Sequence, residues 1–284
     1  MGEAGRVTHR TFTLEPRSGD LIRGDVRMPD GWQPTSAIVV VHGFKGFKDW
    51  GFFPHTCERL ASAGHAVVSF NMSHNGVGED LMSFTELDRF AANTLSLELN
   101  EVLYVVDQVR QGELLGFVPD HIGVLGHSRG GGQTVLAAGE DARIEAIVTW
   151  AAVSDFDRWP EETKAEWRAE GRIFVANMRT RQHMPLDLGL LEDFENNRQR
   201  LDIGAAASRV DVPWLIVHGT DDETVDDSEA RALAEAAQRG RLHLVEGAGH
   251  TFQAGHPMAA SPPELDDVLL ATIEHFEQAI GTSP

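Results

Sequence analysis

The chain predicts an α/β fold: a mostly parallel sheet of about eight strands with helices on both faces. Two kinds of observation carry this. Continuous β-branched runs, such as residues 37–42 (A-I-V-V-V-H), have the composition of strands buried on both faces. Between such runs lie stretches with apolar residues at helical spacing. The clearest of these carries Leu95, Leu99, Val102, Val106 and Val109. Strand and helix patterns alternate, as a parallel sheet with crossover helices requires.

The elements follow in order. Residues 7–14 and 21–28 alternate and are separated by Pro16-Arg17-Ser18-Gly19-Asp20, which predicts an antiparallel hairpin. The buried strand 37–42 comes next. Phe53, Cys57 and Leu60 then mark a helix that Gly64 closes. Residues 66–70 form the next strand and run into a polar loop, 71–80. After the helix over 95–109, residues 122–125 form a strand that ends in Gly126-His127-Ser128-Arg129-Gly130, and a helix follows. Another buried strand spans 144–150. The rhythm then stops: from 153 to 213 no buried strand is evident, although 161–170 has the pattern of a charged helix and 172–186 that of a hairpin. A break of this length is functional or a subdomain rather than a plain loop. Residues 154–210 are therefore expected to form a cap or lid inserted into a core made of 1–153 and 211–284. The core resumes with a strand at 214–217. Ser228 is the expected N-cap of a helix that Gly240 ends. A strand at 242–245 and a helix carrying Leu269, Ile273, Phe276 and Ile280 close the chain.

Composition excludes several classes of function. The formal net charge is −20 and only three of the 24 basic residues are Lys, which argues against a nucleic-acid partner and offers no basic patch to a membrane. The single Cys57 rules out an internal disulfide and fits a reducing cytoplasm. The first residues carry no charged-then-apolar leader, and no apolar run approaches the ~18 residues that span a bilayer. The chain is expected to be cytoplasmic. No Cys/His spacing suggests zinc, and the acidic stretch 221–227 lacks the spacing of a calcium loop.

Chemistry concentrates at Ser128. A G-x-S-x-G pattern between a buried strand and a helix is the context of a nucleophile elbow. A serine hydroxyl needs a base, and the base an orienting acid. Asp221 or Asp222 follows the strand at 214–217, and His250 follows the strand at 242–245. Loops after parallel strands collect on one sheet edge, so Ser128, one of the two aspartates and His250 can converge. His256 is the weaker base candidate, since Ala254-Gly255 and Pro257 suggest a mobile loop. His42 and His218 at strand ends, and His127 and Arg129 beside the serine, are expected to make structural contacts. Trp159, Trp167 and Phe174 form either an acyl pocket or a small core of the insertion.

The motifs His42-Gly43-Phe44, Gly126 to Gly130, His218-Gly219-Thr220-Asp221-Asp222 and Gly249-His250 resemble those of the α/β-hydrolase superfamily, over nearly the whole chain. The resemblance is to dienelactone-hydrolase-like and prolyl-oligopeptidase-like serine hydrolases, including small bacterial carboxylesterases. It implies the α/β-hydrolase fold and a Ser128–His250–Asp222 triad, the pattern His-Gly-x-x-Asp-x-x-Val aligning on Asp222 and leaving Asp221 in the turn. It also implies an oxyanion hole from the backbone N–H groups of Phe44 and Arg129. Dienelactone hydrolases usually carry Cys at the nucleophile position, so Ser128 favours ordinary esters. The His-Gly-Phe turn is similar to that of esterases acting on aryl and cinnamoyl esters. The expected activity is hydrolysis of small carboxylic esters through an acyl-serine, with no cofactor. A peptidase or amidase on the same triad, and a non-catalytic binding protein of this fold, are the alternatives. Oligomeric state, acyl group and alcohol stay open.

Overall fold

The computed structural model describes residues 6–16 and 20–281. Eight strands form one sheet in the order β1-β2-β4-β3-β5-β6-β9-β10. β1 (Val7–Leu14) and β2 (Ile22–Pro29) are the expected hairpin, part of whose turn, 17–19, lies outside the described residues. β2 also runs antiparallel to β4 (Ala66–Asn71). All later pairings in this sheet are parallel: β4 with β3 (Ser36–Val41), then β5 (His121–His127), β6 (Ala146–Trp150), β9 (Trp214–Gly219) and β10 (Gly240–Val245). β3 to β6 and β9 are buried nearly throughout, which is why their sequences are continuously apolar instead of alternating.

Helices cover both faces. α1 (Phe53–Ser62) and α9 (Pro263–Ile280) pack together on one side. On the other, α3 (Leu95–Arg110) packs on α4 (Arg129–Glu140), α4 on α7 (Ile203–Ala207), and α7 on α8 (Asp227–Ala236). β5 shows how closely the layers meet. A methyl at Gly123 would stand 2.6 Å from the Phe276 ring of α9, and one at Gly126 would stand 2.2 Å from Thr134 of α4. The buried indoles keep partners for their N–H groups: Trp150 donates to Thr272 and Trp214 to Thr149, both at 3.0 Å.

The segment between β6 and β9 has more structure than its polarity suggests. α5 (Glu161–Glu170) and the hairpin β7 (Arg172–Asn177) and β8 (Gln182–Asp187) follow the expected pattern. α6 (Gly189–Asn196) and α7 replace what reads as mixed polar sequence. Their apolar faces are narrow: only Leu190, Leu191 and Phe194 of α6 are buried. The short helix α2 (Leu87–Ala91) was also not evident from the sequence. Two expectations about α8 need correction. Its N-cap is Asp226, whose carboxylate accepts the Ser228 amide at 3.0 Å. Gly240 starts β10 rather than ending α8.

Registers align the C-terminal strand ends. Val41 faces Gly126, His127 faces Trp150, Trp150 faces Val217, and Gly219 faces Val245. The loops leaving β3, β5, β9 and β10 therefore emerge side by side on one edge.

Candidate active site

Ser128 sits between β5 and α4 with φ 58° and ψ −123°, a conformation that a non-glycine residue holds only where its surroundings impose it. The neighbouring glycines permit it. A methyl at Gly126 would lie 2.3 Å from the Gly130 carbonyl oxygen, and one at Gly130 would lie 2.4 Å from that of His42. Ser128 is the N-cap of α4, yet its hydroxyl caps no helix amide. A serine at an N-cap ordinarily spends its oxygen on the amides two or three residues on. The elbow turns that oxygen outwards, and the hydroxyl donates to His250 Nε2 at 3.0 Å.

His250 donates from Nδ1 to Asp222 Oδ2 at 2.7 Å, which fixes the tautomer with a free Nε2 lone pair towards Ser128. Asp222 is itself immobilised. Its Oδ1 accepts the amides of Thr224 and Val225 at 2.8 and 2.9 Å. Burial works to raise its pKa, but the hydrogen bonds from His218 and His250 outweigh it and hold the carboxyl well below the usual range. His218 lies 3.3 Å from Asp222 Oδ2 and donates to the Val225 carbonyl at 2.8 Å. Asp221 does not reach His250. It is exposed, its amide donates to Ala248, and its carboxylate accepts only the Thr220 hydroxyl, at 3.4 Å.

The loop after β3 lies against the serine: a methyl at Gly43 would stand 2.9 Å from Ser128 Cβ and 3.4 Å from its Oγ. Phe44 follows in this loop, and Arg129 follows the serine. Among the described residues neither amide donates to a protein acceptor. Their side chains are locked together. The Arg129 guanidinium lies 3.8 Å from the Phe44 ring centroid, and Phe44 stacks on Phe90 at 5.4 Å. Buried Glu98 holds Arg129 at 3.4 Å and also accepts Gln133 at 3.0 Å and Asn93 at 2.6 Å. Beside it Glu101 accepts the Ser73 amide at 2.9 Å, and burial pushes its carboxyl up to about 7. Sequence reasoning missed both acids. The signal was present, since Glu98 and Glu101 fall on the face that Leu95, Leu99 and Val102 bury.

Ser128, His250, Phe44 and Arg129 line a cavity of about 830 Å³. Residues 38–264 match the alpha/beta hydrolase family. The chain belongs to this family. It is 26% identical over 226 residues to the 2,6-dihydropseudooxynicotine hydrolase of Paenarthrobacter nicotinovorans, covering 78% of this chain and 53% of that protein. The chain thus spans about half the length of that relative. Among solved structures it is similar to Est1E from Butyrivibrio proteoclasticus, determined with ferulic acid bound: TM-score 0.70, 21% identity, 95% of this chain and 99% of the other. It is also similar to dienelactone hydrolase from Anabaena variabilis: TM-score 0.63, 16% identity, 96% and 98% covered.

Three further histidines near the site of this α/β hydrolase, His127, His42 and His256, have structural partners. His127 donates from Nε2 to the His250 carbonyl at 2.9 Å, and burial pushes it down to about 3. It therefore stays neutral and fixes the His250 backbone. His42 accepts the Met72 amide and bonds the Gly43 carbonyl, at 3.2 and 2.9 Å, which steadies the turn before Phe44. His256 is held in place: it accepts the Gly51 amide at 2.9 Å and stacks on Trp50. The three aromatics of the segment after β6 separate. Trp159 lines the cavity, with Phe156 beside it. Trp167 is fully buried, donates to the Leu186 carbonyl at 3.0 Å and belongs to the segment's own core. Phe174 is 61% exposed and does not line the cavity, so it contributes to neither. Among the described residues, no helix is long and apolar enough to cross a membrane.

Proposed function

We propose that this α/β hydrolase is a serine esterase that cleaves small carboxylic esters through an acyl-serine intermediate. One observation carries the reading: the unbroken hydrogen-bonded run from Asp222 through His250 to a Ser128 hydroxyl that no helix amide claims. In this reading Ser128 Oγ attacks the ester carbonyl as His250 Nε2 takes its proton. The oxyanion that forms is held by the amides of Phe44 and Arg129, at the positive end of α4. His250 returns the proton to the departing alcohol. Water activated by the same nitrogen then releases the acid. The sequence needs no cofactor. The segment 154–210 acts as the cap and sets acyl preference, a reading supported by Phe156 and Trp159 in the cavity wall. The volume, about 830 Å³, suits a small aryl or alkyl ester. Est1E, of the same fold, was solved with ferulic acid, itself a carboxylic acid.

The test is covalent. A fluorophosphonate should label the wild type at Ser128, and p-nitrophenyl esters of graded acyl length should give turnover with a defined optimum. Ser128→Ala should lose both and keep its fold. Wild-type labelling in Ser128→Ala, or cleavage of acyl anilides faster than of esters, would overturn the assignment.

A further inference from the structure

The chain carries 44 acidic against 24 basic residues, yet the cavity reverses this balance. Lys45, Arg129, Arg158 and Arg179 line it, and among the described residues no Asp or Glu does. Two of these cations are already neutralised: Arg129 by Glu98 at 3.4 Å and Arg158 by Glu229 at 2.6 Å. The other two are not. Of the three lysines, Lys48 pairs with Asp25 and Asp49, and Lys164 with Asp157 and Glu161. Lys45, one residue past Phe44, meets no carboxylate among the described residues. Its ammonium donates to the Ala176 carbonyl at 2.9 Å, with two protons left over. Arg179, in the turn between β7 and β8, donates once, to the Lys45 carbonyl at 2.6 Å, and lies over the Trp50 ring at 4.8 Å. Among the described residues, the remaining N–H groups of its fork meet no carboxylate.

Two cations thus stand together at the cavity, in a protein whose formal net charge is −20. Their proximity is unfavourable. Burial, and then the charges of Arg179 and Arg129, push the Lys45 ammonium below its ordinary pKa. Such an arrangement is stabilised when an anion enters between the two groups.

We propose that Lys45 and Arg179 form an anion subsite, and that this enzyme selects esters carrying a second, free carboxylate. The proposal rests on the esterase reading above and names its substrate class. The whole-molecule field opposes an anionic substrate, so a preference for one must come from local groups.

The experiment uses two matched pairs of esters. For the acyl side these are mono-p-nitrophenyl adipate and its methyl ester. For the leaving-group side they are 4-butanoyloxybenzoate and its methyl ester. In at least one pair the wild type should favour the acid in kcat/KM by about tenfold or more, as charge-assisted hydrogen bonds allow. Lys45→Gln and Arg179→Gln should each reduce that ratio by about tenfold, while Lys45→Arg and Arg179→Lys keep most of it. No preference in either pair would overturn the proposal. So would a loss of equal factor on both members of a pair in the Gln variants, because that is the signature of struts tying the β7–β8 turn to the loop after β3. Should the wild type turn over none of the four, the esterase reading fails by itself. Calorimetric titration of Ser128→Ala with monomethyl adipate and dimethyl adipate then decides the subsite. Tighter binding of the monoanion, lost when Arg179→Gln is added, upholds it, and equal binding overturns it.

Discussion

At the scale of residues, the arrangement turns on which atoms Asp222 and Gly43 leave room for. Asp222 spends one oxygen on two backbone amides and the other on two imidazoles, so its geometry survives loss of charge better than most carboxylates. Asp222→Asn should keep the fold, disturb the His250 tautomer and lower kcat by about 10⁴, the scale such triads show. Asp221→Asn should keep most activity, since its side chain meets only Thr220. Steady-state kinetics of the two variants check this, and the reverse order would move the acid by one position. Gly43→Ala is a sharper probe of the loop after β3. Its methyl would press on Ser128 Cβ at 2.9 Å and displace either the nucleophile or the Phe44 amide. Overpacking of this kind costs about 1–3 kcal/mol. The expected result is a kcat reduced by at least about tenfold with an unchanged circular dichroism spectrum.

At the scale of elements, the segment between β6 and β9 divides into residues that face the cavity and residues that hold the segment together. Trp159→Ala should shift the acyl-length optimum, with relative rates changing by about tenfold, because one methylene of pocket is worth roughly 1–3 kcal/mol. Phe174→Ala should leave the series unchanged, its ring being exposed. Trp167→Ala should instead destabilise by about 3–5 kcal/mol, as truncation of a buried indole does. Rates across p-nitrophenyl esters and urea melts separate the three outcomes. The loop after β3 has its own anchor. Lys48, almost fully buried, reaches Asp25 of β2 at 2.8 Å and Asp49 at 2.6 Å. Lys48→Met should cost about 3 kcal/mol, since removing one partner leaves a buried carboxylate with only Arg27 and His9 nearby.

At the scale of the whole molecule, stability should fall steeply in mild acid. Burial pushes His65 and His275 down to about 4 and His127 to about 3. Each is neutral in the folded chain and protonated in the unfolded chain below about pH 6.5. Their depressed values contribute stability that is present above pH 6.5 and is lost as pH falls towards 4. Glu101 acts in the opposite sense. Raised to about 7, it favours the fold below the ordinary carboxylate range, and that contribution is lost as pH rises to 7. At pH 5 the unfolded chain binds about three more protons at the histidines and about one fewer at Glu101. Stability should therefore drop by roughly 2–3 kcal/mol per pH unit there. Denaturant melts between pH 7 and 4.5 measure the slope, and His65→Gln should reduce it by about one proton. A flat profile would mean that these imidazoles are solvated.

The sequence by itself determined what depends on local periodicity and local turns. It set the order of the core strands and of the helices other than α2, α6 and α7, the hairpin at the start, α5 and the β7–β8 hairpin, because each is specified by spacing within ten or so residues. It also brought Ser128, an aspartate and His250 to one sheet edge, since parallel strands leave no other place for their following loops. Between Asp222 and Asp221, which differ in direction and not in chemistry, the residues alone leave the choice open and only the resemblance favours Asp222; in the folded chain it is Asp222 that meets His250. Only the tertiary structure decided that Asp226 caps α8, that Trp159 rather than Phe174 meets the cavity, and that His256 is tied to Gly51. The partners of the buried acids Glu98 and Glu101, and the lack of a carboxylate beside Lys45 and Arg179 among the described residues, have the same origin. A charge in a sequence carries no sign of its partner. Arg179 meets Lys45 across 134 positions and Arg129 meets Glu98 across 31, and only folding fixes which charges are neutralised and which are left facing the cavity.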